Sequence, residues 1–183
     1  IGIYERSSIM EIERKWLVSG FPTGKIIKEE TIYQGYLSVN PEVRLKKNVP
    51  LNGDPIRYYI CYKSNGDLSR IENEEQIEVN TYNELFNYIE APMIKKDYKV
   101  FDVDGVHLEV AEVDNEWFYS EVEFETEEEA NKYSFPIPKL VEYEATHLPQ
   151  FKMKAYWERT RGKSKLPKIL MESQFIQNLI NNK

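Results

Sequence analysis

Residues 10–18 read M-E-I-E-R-K-W-L-V, and the alternation inside this stretch decides the fold class. Successive side chains on a strand point to opposite faces. Glu11, Glu13 and Lys15 therefore share one face and Ile12 and Trp16 the other, with Arg14 a lone charge on the apolar side. The same split recurs downstream. Arg44 and Lys46 oppose Val43 and Leu45, Lys63 opposes Ile60 and Tyr62, and Glu121, Glu123 and Glu125 oppose Val122 and Phe124. A sheet with one wet face produces such alternation without any function. The grouping by sign says more: acids dominate the first and the late charged strands, and bases the strands between them. Like charges two residues apart repel mildly, an arrangement that becomes favourable when a cation sits between carboxylates or an anion between bases. A closed barrel with its charged face inward would bring the two groups together.

Working outward, Gly and Pro punctuate the chain into segments of strand length. The spacing predicts strands near 10–18, 31–39, 42–47, 56–63, 69–79, 94–103, 106–113 and 118–125. Thr81 with Glu84, and Thr126 with Glu129, are capping boxes that open two helices. The first places Tyr82, Leu85, Phe86 and Ile89 on one face. Further helices are expected at 149–158 and about 169–181, the latter with an apolar stripe of Phe175, Ile176, Leu179 and Ile180. The basic stretch Arg159 to Lys168 between them reads as a solvated linker. Many short strands with a few amphipathic helices indicate an α+β protein with a largely antiparallel sheet. Met10 stands directly before the first patterned segment, so residues 1–9 are set aside as an upstream extension or expression remnant and 10–183 are read as one domain.

With 183 residues, 41% of them hydrophobic, the chain has material for a real core. Its 24 Lys and Arg against 31 Asp and Glu give a net charge of −7, which argues against a general nucleic-acid binder. A polyanionic ligand must therefore meet a local basic cluster. Cys61 is the only cysteine, so neither an intramolecular disulfide nor a thiolate metal cage can form, as suits a reducing cytoplasm. No run approaches the ~18 apolar residues of a membrane span, and a cytoplasmic protein without a membrane partner is expected. With only His107 and His147 as imidazole donors, paired carboxylates suit Mg²⁺ or Mn²⁺ rather than Zn²⁺. A phosphate ligand follows: Lys and Arg neutralise its oxygens while metals bridge them. Trp16, Trp117 and Trp157 read as packing residues rather than a nucleobase platform, and His107 as a structural histidine beside Glu109.

The segment EIERK, Glu11 to Lys15, resembles the ExExK signature of the CYTH, or triphosphate tunnel metalloenzyme, family. Later features follow in the same order: YQGYL at Tyr33 to Leu37, VRLKK at Val43 to Lys47, YKSNG at Tyr62 to Gly66, SRIENE at Ser69 to Glu74, SEVEFETEEEA at Ser120 to Ala130, and EAT at Glu144 to Thr146. The resemblance spans roughly residues 10–157. It implies an eight-stranded antiparallel β-barrel with flanking helices, in which Glu11, Glu13, Glu121 and Glu123 hold Mg²⁺ or Mn²⁺, and these four with Lys15 form the catalytic set. Lys15, Arg44, Lys46, Lys63, Arg70 and Lys95 would hold a triphosphate, with Glu72, Glu74, Asp97 and Glu109 as possible supporting residues. Two departures stand out. Asp97 occupies the Arg slot of a K-x-R pair, and Ala111 replaces the acid of a Glu-x-Asp pair that starts at Glu109. On one strand face with Lys95 and Lys99, Asp97 would weaken the local field for phosphate, serve as a gained metal ligand, or lie exposed at a strand end.

The implied activity is metal-dependent hydrolysis of inorganic tripolyphosphate or a small organic triphosphate. Alternatives are a class IV type adenylate cyclase and a non-catalytic binder of polyphosphate or nucleotide. A lipocalin-like carrier would need the apolar set inside.

Overall fold

The computed structural model describes residues 7–162 and 174–181. Nine strands run in chain order: β1 (Ser7–Val18), β2 (Lys25–Val39), β3 (Glu42–Pro50), β4 (Arg57–Lys63), β5 (Ser69–Ile77), β6 (Ile94–Val103), β7 (Val106–Val113), β8 (Trp117–Glu123) and β9 (Val141–Glu144). Among the described residues four α-helices accompany them: α1 (Val79–Phe86), α2 (Glu127–Lys132), α3 (Met153–Arg161) and α4 (Gln174–Asn181). Every pairing is antiparallel, and the order β5-β4-β3-β2-β6-β7-β8-β1 closes on itself through a β1–β5 ladder. Closure removes the sheet edges that would otherwise invite pairing with other chains. The ninth strand lies outside this circuit, on the far half of β1, where Trp16 and Leu17 face Glu144 and Tyr143.

The expected α+β barrel of eight antiparallel strands is what forms, with differences at element ends. β1 starts at Ser7, so residues 7–9, set aside in the sequence, pair with Glu74, Asn73 and Glu72; residues 1–6 lie outside the described part. β2 begins at Lys25 rather than 31, because the mixed K-I-I-K-E-E segment shows no clean alternation yet pairs with β6. β9 is only four residues, V-E-Y-E, too short for a periodic signal. The N-cap of α1 is Glu78 rather than Thr81, since the chain turns into the helix directly after β5; Phe86 is exposed and Ile89 lies past the helix end. Thr126 does cap α2, its hydroxyl accepting from Glu129 N at 3.1 Å. The expected helix at 149–158 resolves into a 3-10 turn at Pro149–Phe151 and then α3. Of the stretch 159–168, Arg159 and Arg161 belong to α3, while 163–168 and the first residues of the expected 169–181 helix lie outside the described residues.

Apolar faces of the strands point outward and are covered. Leu37, Val43, Leu45, Ile60 and Ile77 pack beneath Tyr82 and Leu85 of α1 and Ile176 and Leu179 of α4. On the other side Trp16, Val18, Leu108, Val110 and Val122 are covered by Tyr133, Phe135, Ile137 and Leu140. Arg14, the charge on this apolar side, is fully used: it donates to Glu144 at 2.8 and 2.7 Å and to the carbonyls of Ala130 and Tyr133, both at 2.7 Å. It thereby ties β1 to β9 and α2. A third cluster sits across one end of the barrel, where Met153, Tyr156 and Trp157 of α3 pack with Leu17, Tyr36, Ile94 and Tyr119.

Candidate active site: a charged tunnel

With the apolar faces outside, the charged faces point into the barrel and line a cavity of about 350 Å³. Glu11, Glu13 and Lys15 of β1, Arg44 and Lys46 of β3, Lys63 of β4, Arg70, Glu72 and Glu74 of β5, Glu109 of β7, and Glu121 and Glu123 of β8 all line it. The register explains the grouping. Glu13 faces Glu123 and Lys15 faces Glu121 across the β1–β8 ladder, and Glu121 faces Glu109 across β7–β8. Three adjacent strands thus make a carboxylate wall.

Two residues of the sequence set are elsewhere. Lys95 and Asp97 project from the outer surface, paired with each other at 3.2 Å, and neither lines the tunnel. The inward positions of β6 belong to Lys96 and Tyr98. In K-K-D-Y-K the strand phase cannot be read from charge alone, and packing of Ile94 into the end cluster sets it. His107, read from the sequence as a structural histidine beside Glu109, is exposed at the start of β7. Sequence reasoning missed Glu30, Glu42, Asn48, Arg57, Lys96 and Lys152, all lining residues. Glu42 was recoverable as the period-two neighbour of Arg44, and Arg57 as a same-face position three such steps before Lys63. Lys152 precedes α3 and comes to the tunnel only through the fold, where it pairs with Asp67 at 2.7 Å.

On the basic side, each cation but one has a carboxylate. Lys63 donates to both Glu11 oxygens at 2.8 and 2.9 Å, and Arg70 bridges Glu11 at 2.9 Å and Glu13 at 3.3 Å. Arg44 reaches Glu72 at 3.4 Å, Lys46 pairs with Glu74, and Lys15 pairs with Glu121 at 3.0 Å. Burial opposes ionisation of Glu72, but Lys63 and Arg44 outweigh it and lower the carboxyl to about 2. Lys96 has no ion pair among the described residues. Burial, with Arg44, Lys15 and Lys46 nearby, holds its ammonium well below the usual lysine range.

On the acidic wall Glu13, Glu109 and Glu123 behave oppositely, while Lys15 and Lys96 outweigh burial and hold Glu121 low. Burial, then Glu121, pushes Glu13 up to about 7. Burial, then Glu121, Glu123 and Glu13, pushes Glu109 up to about 8. Glu123, at a more exposed position, is raised by burial and by Glu11 and Glu72. Carboxylates that resist ionisation because they are buried and face one another form a surplus of negative charge that a hard cation would relieve. Cys61, Glu72 and Glu74 also bring one ligand atom each within 4.8 Å of one another. There burial pushes the thiol up to about 11, and the protonated Sγ donates to Glu72 at 3.0 Å. The two carboxylates are already held by Arg44, Lys63 and Lys46, so this trio is part of the basic side.

Comparison with known proteins bears on this tunnel. The chain is 32% identical over 158 residues to an inorganic triphosphatase of Nitrosomonas europaea, covering 79% of this chain and 95% of that one. The chain belongs to the CYTH, or triphosphate tunnel metalloenzyme, family. A second inorganic triphosphatase, from Acetivibrio thermocellus, is 32% identical over 104 residues, or 56% of this chain and 64% of that protein. The crystal structure of the inorganic triphosphatase NE1496 superposes with a TM-score of 0.57 at 29% identity, over 80% of this chain and 93% of that one. No family model matches the chain. Family membership agrees with the tunnel architecture and gives the inward carboxylates and cations of this CYTH chain a common context.

Proposed function

We propose that this CYTH protein is a divalent-metal-dependent triphosphatase that hydrolyses inorganic tripolyphosphate or a small organic triphosphate inside its tunnel. The observation that carries the reading is the division of one enclosed wall into a surplus of carboxylates on β1, β7 and β8 and a set of cations on β3, β4 and β6. The names of its relatives agree with it.

The donor set fits Mg²⁺ or Mn²⁺: oxygen ligands only, with Glu13, Glu109, Glu121 and Glu123 gathered on adjacent strands, of which Glu13, Glu109 and Glu123 resist ionisation while Lys15 and Lys96 outweigh burial and keep Glu121 ionised. Glu11, Glu13, Glu121 and Glu123 would hold the ion, with Glu109 beside them. A bound Mg²⁺ or Mn²⁺ would supply charge neutralisation at the phosphate oxygens.

The chain's own residues do the rest. Lys15, Arg44, Lys46, Lys63 and Arg70 bind the non-bridging oxygens, exchanging their present carboxylate partners for phosphate. Glu72 and Glu74 retain a charge-balancing role on the basic wall. Lys96 is the lumen group suited to take a proton from the attacking water, since burial among cations favours its neutral amine. The end cluster around Trp157 excludes bulk water from one side, which strengthens each of these contacts. Hydrolysis of the terminal phosphoanhydride releases orthophosphate and pyrophosphate. The test is phosphorus NMR of products with tripolyphosphate and with ATP. Orthophosphate is expected from the first, and cyclic AMP with pyrophosphate from ATP would instead mark a cyclase.

A further inference from the structure

Along β2, Glu30 and Tyr36 stand toward opposite ends of the tunnel, about 20 Å apart at the strand rise. The Tyr36 end is covered by α3, with the Trp157 ring 5.7 Å from that of Tyr36. At the other end Glu30 is only 2% exposed and holds three donors. Arg57 Nη2 reaches it at 2.7 Å, Asn48 Nδ2 at 3.1 Å and Lys28 Nζ at 3.4 Å. Arg57 and Lys28 are 41% and 45% exposed at the side chain, so they form a rim above the buried carboxylate.

This rim lies where the basic track of Lys63, Arg44 and Lys46 would continue. Asn48 is two residues beyond Lys46 on the same face of β3, and Arg57 is its cross-strand partner. Without Glu30, Arg57 and Lys28 would extend the track by one more anion site. With it, both are taken, and Glu30, on β2 apart from the β1 and β8 carboxylates that would pass from their cations to a metal, has no other cation to release them for. The Asn48 amide is oriented by the same carboxylate: a carboxylate only accepts, so Nδ2 must face it and Oδ1 is fixed as an acceptor. That Oδ1 is buried and has no hydrogen-bond partner among the described residues. An amide oxygen and a carboxylate are poor neighbours for phosphate. Arg57 keeps a buried Nε without a partner as well, donor capacity that phosphate could use once Glu30 no longer holds the guanidinium.

We infer that Glu30 is a chain-length stop: by holding Arg57 and Lys28 it ends the anion track, so that a fourth phosphate of a linear polyphosphate meets acceptors instead of cations. The inference rests on the triphosphatase reading and names short, linear, inorganic polyphosphate as the class the tunnel selects on this side. Glu30 acts through Arg57, Lys28 and Asn48 as a specificity residue and makes no contact with the reacting phosphate.

The test compares tripolyphosphate with tetrapolyphosphate by titration calorimetry in chelator, for wild type, Glu30→Gln and the double variant Glu30→Gln/Arg57→Gln. Removing one negative charge strengthens the whole field, so an equal gain for both ligands does not support a length stop; the ratio of affinities does. Wild type is expected to prefer tripolyphosphate. Glu30→Gln is expected to shift the ratio toward tetrapolyphosphate by about tenfold, the scale of one charge-assisted contact, and the double variant to lose that gain. An unchanged ratio in Glu30→Gln, or wild type binding both ligands equally, overturns the inference. Should Glu30→Gln fail to fold, Arg57→Gln decides instead: it leaves Glu30 less neutralised, so tetrapolyphosphate must weaken more than tripolyphosphate, and an unchanged ratio overturns the idea. Wild-type failure to hydrolyse tripolyphosphate with Mg²⁺ would count against the proposed function, and the binding ratios judge the stop separately.

Discussion

Glu13 on β1 and Glu123 on β8 are direct cross-strand partners on the tunnel wall. Opposed side chains in an antiparallel pair sit about 5 Å apart at Cβ, and like charges there are destabilising. A fold that keeps such a pair, with Glu121 and Glu109 on the next positions of the ladder, gathers negative charge at a cost in stability.

Removing one member should therefore separate function from stability. Glu13→Gln is expected to raise the melting temperature of the metal-free protein at pH 8, because it relieves repulsion, while lowering turnover by about 100-fold or more, at least the cost of losing an outer-shell partner of a metal ligand. Thermal melts and phosphate release check the two halves. A destabilised variant with full activity would show that Glu13 is only structural.

The same wall gives a pH dependence. Glu13 and Glu109 are raised to about 7 and about 8, so the native state keeps protons that the unfolded chain gives up near pH 4.5. Their contribution to stability is fully present below that value and is lost as pH rises through 7 to 8. Glu72, lowered to about 2, acts in the opposite sense: its contribution is present above pH 4.5 and is lost only as pH falls toward 2. Lys96 works against the raised carboxyls, because the unfolded chain protonates an amine that the folded one keeps neutral, so its contribution rises with pH. With Glu13, Glu109 and Glu123 all raised against this one lysine, metal-free protein should still melt lower at pH 8 than at pH 5, and Mg²⁺ should restore more at pH 8. Glu109→Gln should flatten the slope, and a melting temperature that rises from pH 5 to 8 would contradict the acidic-wall account.

Neighbouring lysines should differ sharply. Lys96 faces the lumen with its charge disfavoured by burial, whereas Lys95 lies outside against Asp97. Lys96→Met is expected to cut turnover by about 100-fold, within the usual range for a general base. Lys95→Ala and Asp97→Arg should each stay within about twofold, as surface ion pairs contribute little. Steady-state kinetics on the three variants settle the phase of β6.

How much of this was legible in the sequence depends on where the signal lay. Wherever charge alternated with grease, as in Glu11 to Trp16 or Val43 to Lys46, one strand face identified the other, and the barrel with its charged interior followed. The run Ile94 to Lys99 has charge on both faces, so its phase came from tertiary packing of Ile94 and was misassigned to Lys95 and Asp97. Glu30 sits in a mixed polar and apolar segment without clean alternation, and its burial results from Arg57 and Asn48, brought close only by the β2–β3–β4 ladders. Lys152 reaches the tunnel, and Trp157 packs over its end, because α3 folds back across the barrel, a contact no local pattern encodes.

That end cluster should also matter for stability. Trp157 is 2% exposed and packs on Tyr36, so Trp157→Ala is expected to cost about 3–5 kcal/mol, as for other large-to-small core changes. Denaturant unfolding measures it, and a loss under about 1 kcal/mol, typical of surface substitutions, would mean that α3 is only loosely docked.

Phosphorus NMR of tripolyphosphate incubated with the protein, in Mg²⁺ or Mn²⁺ and again in excess chelator, tests most directly whether one wall of this tunnel holds a divalent cation and the other a triphosphate for hydrolysis. The account predicts conversion to orthophosphate and pyrophosphate with metal and none with chelator. Intact tripolyphosphate in both samples, or equal turnover in both, would contradict it.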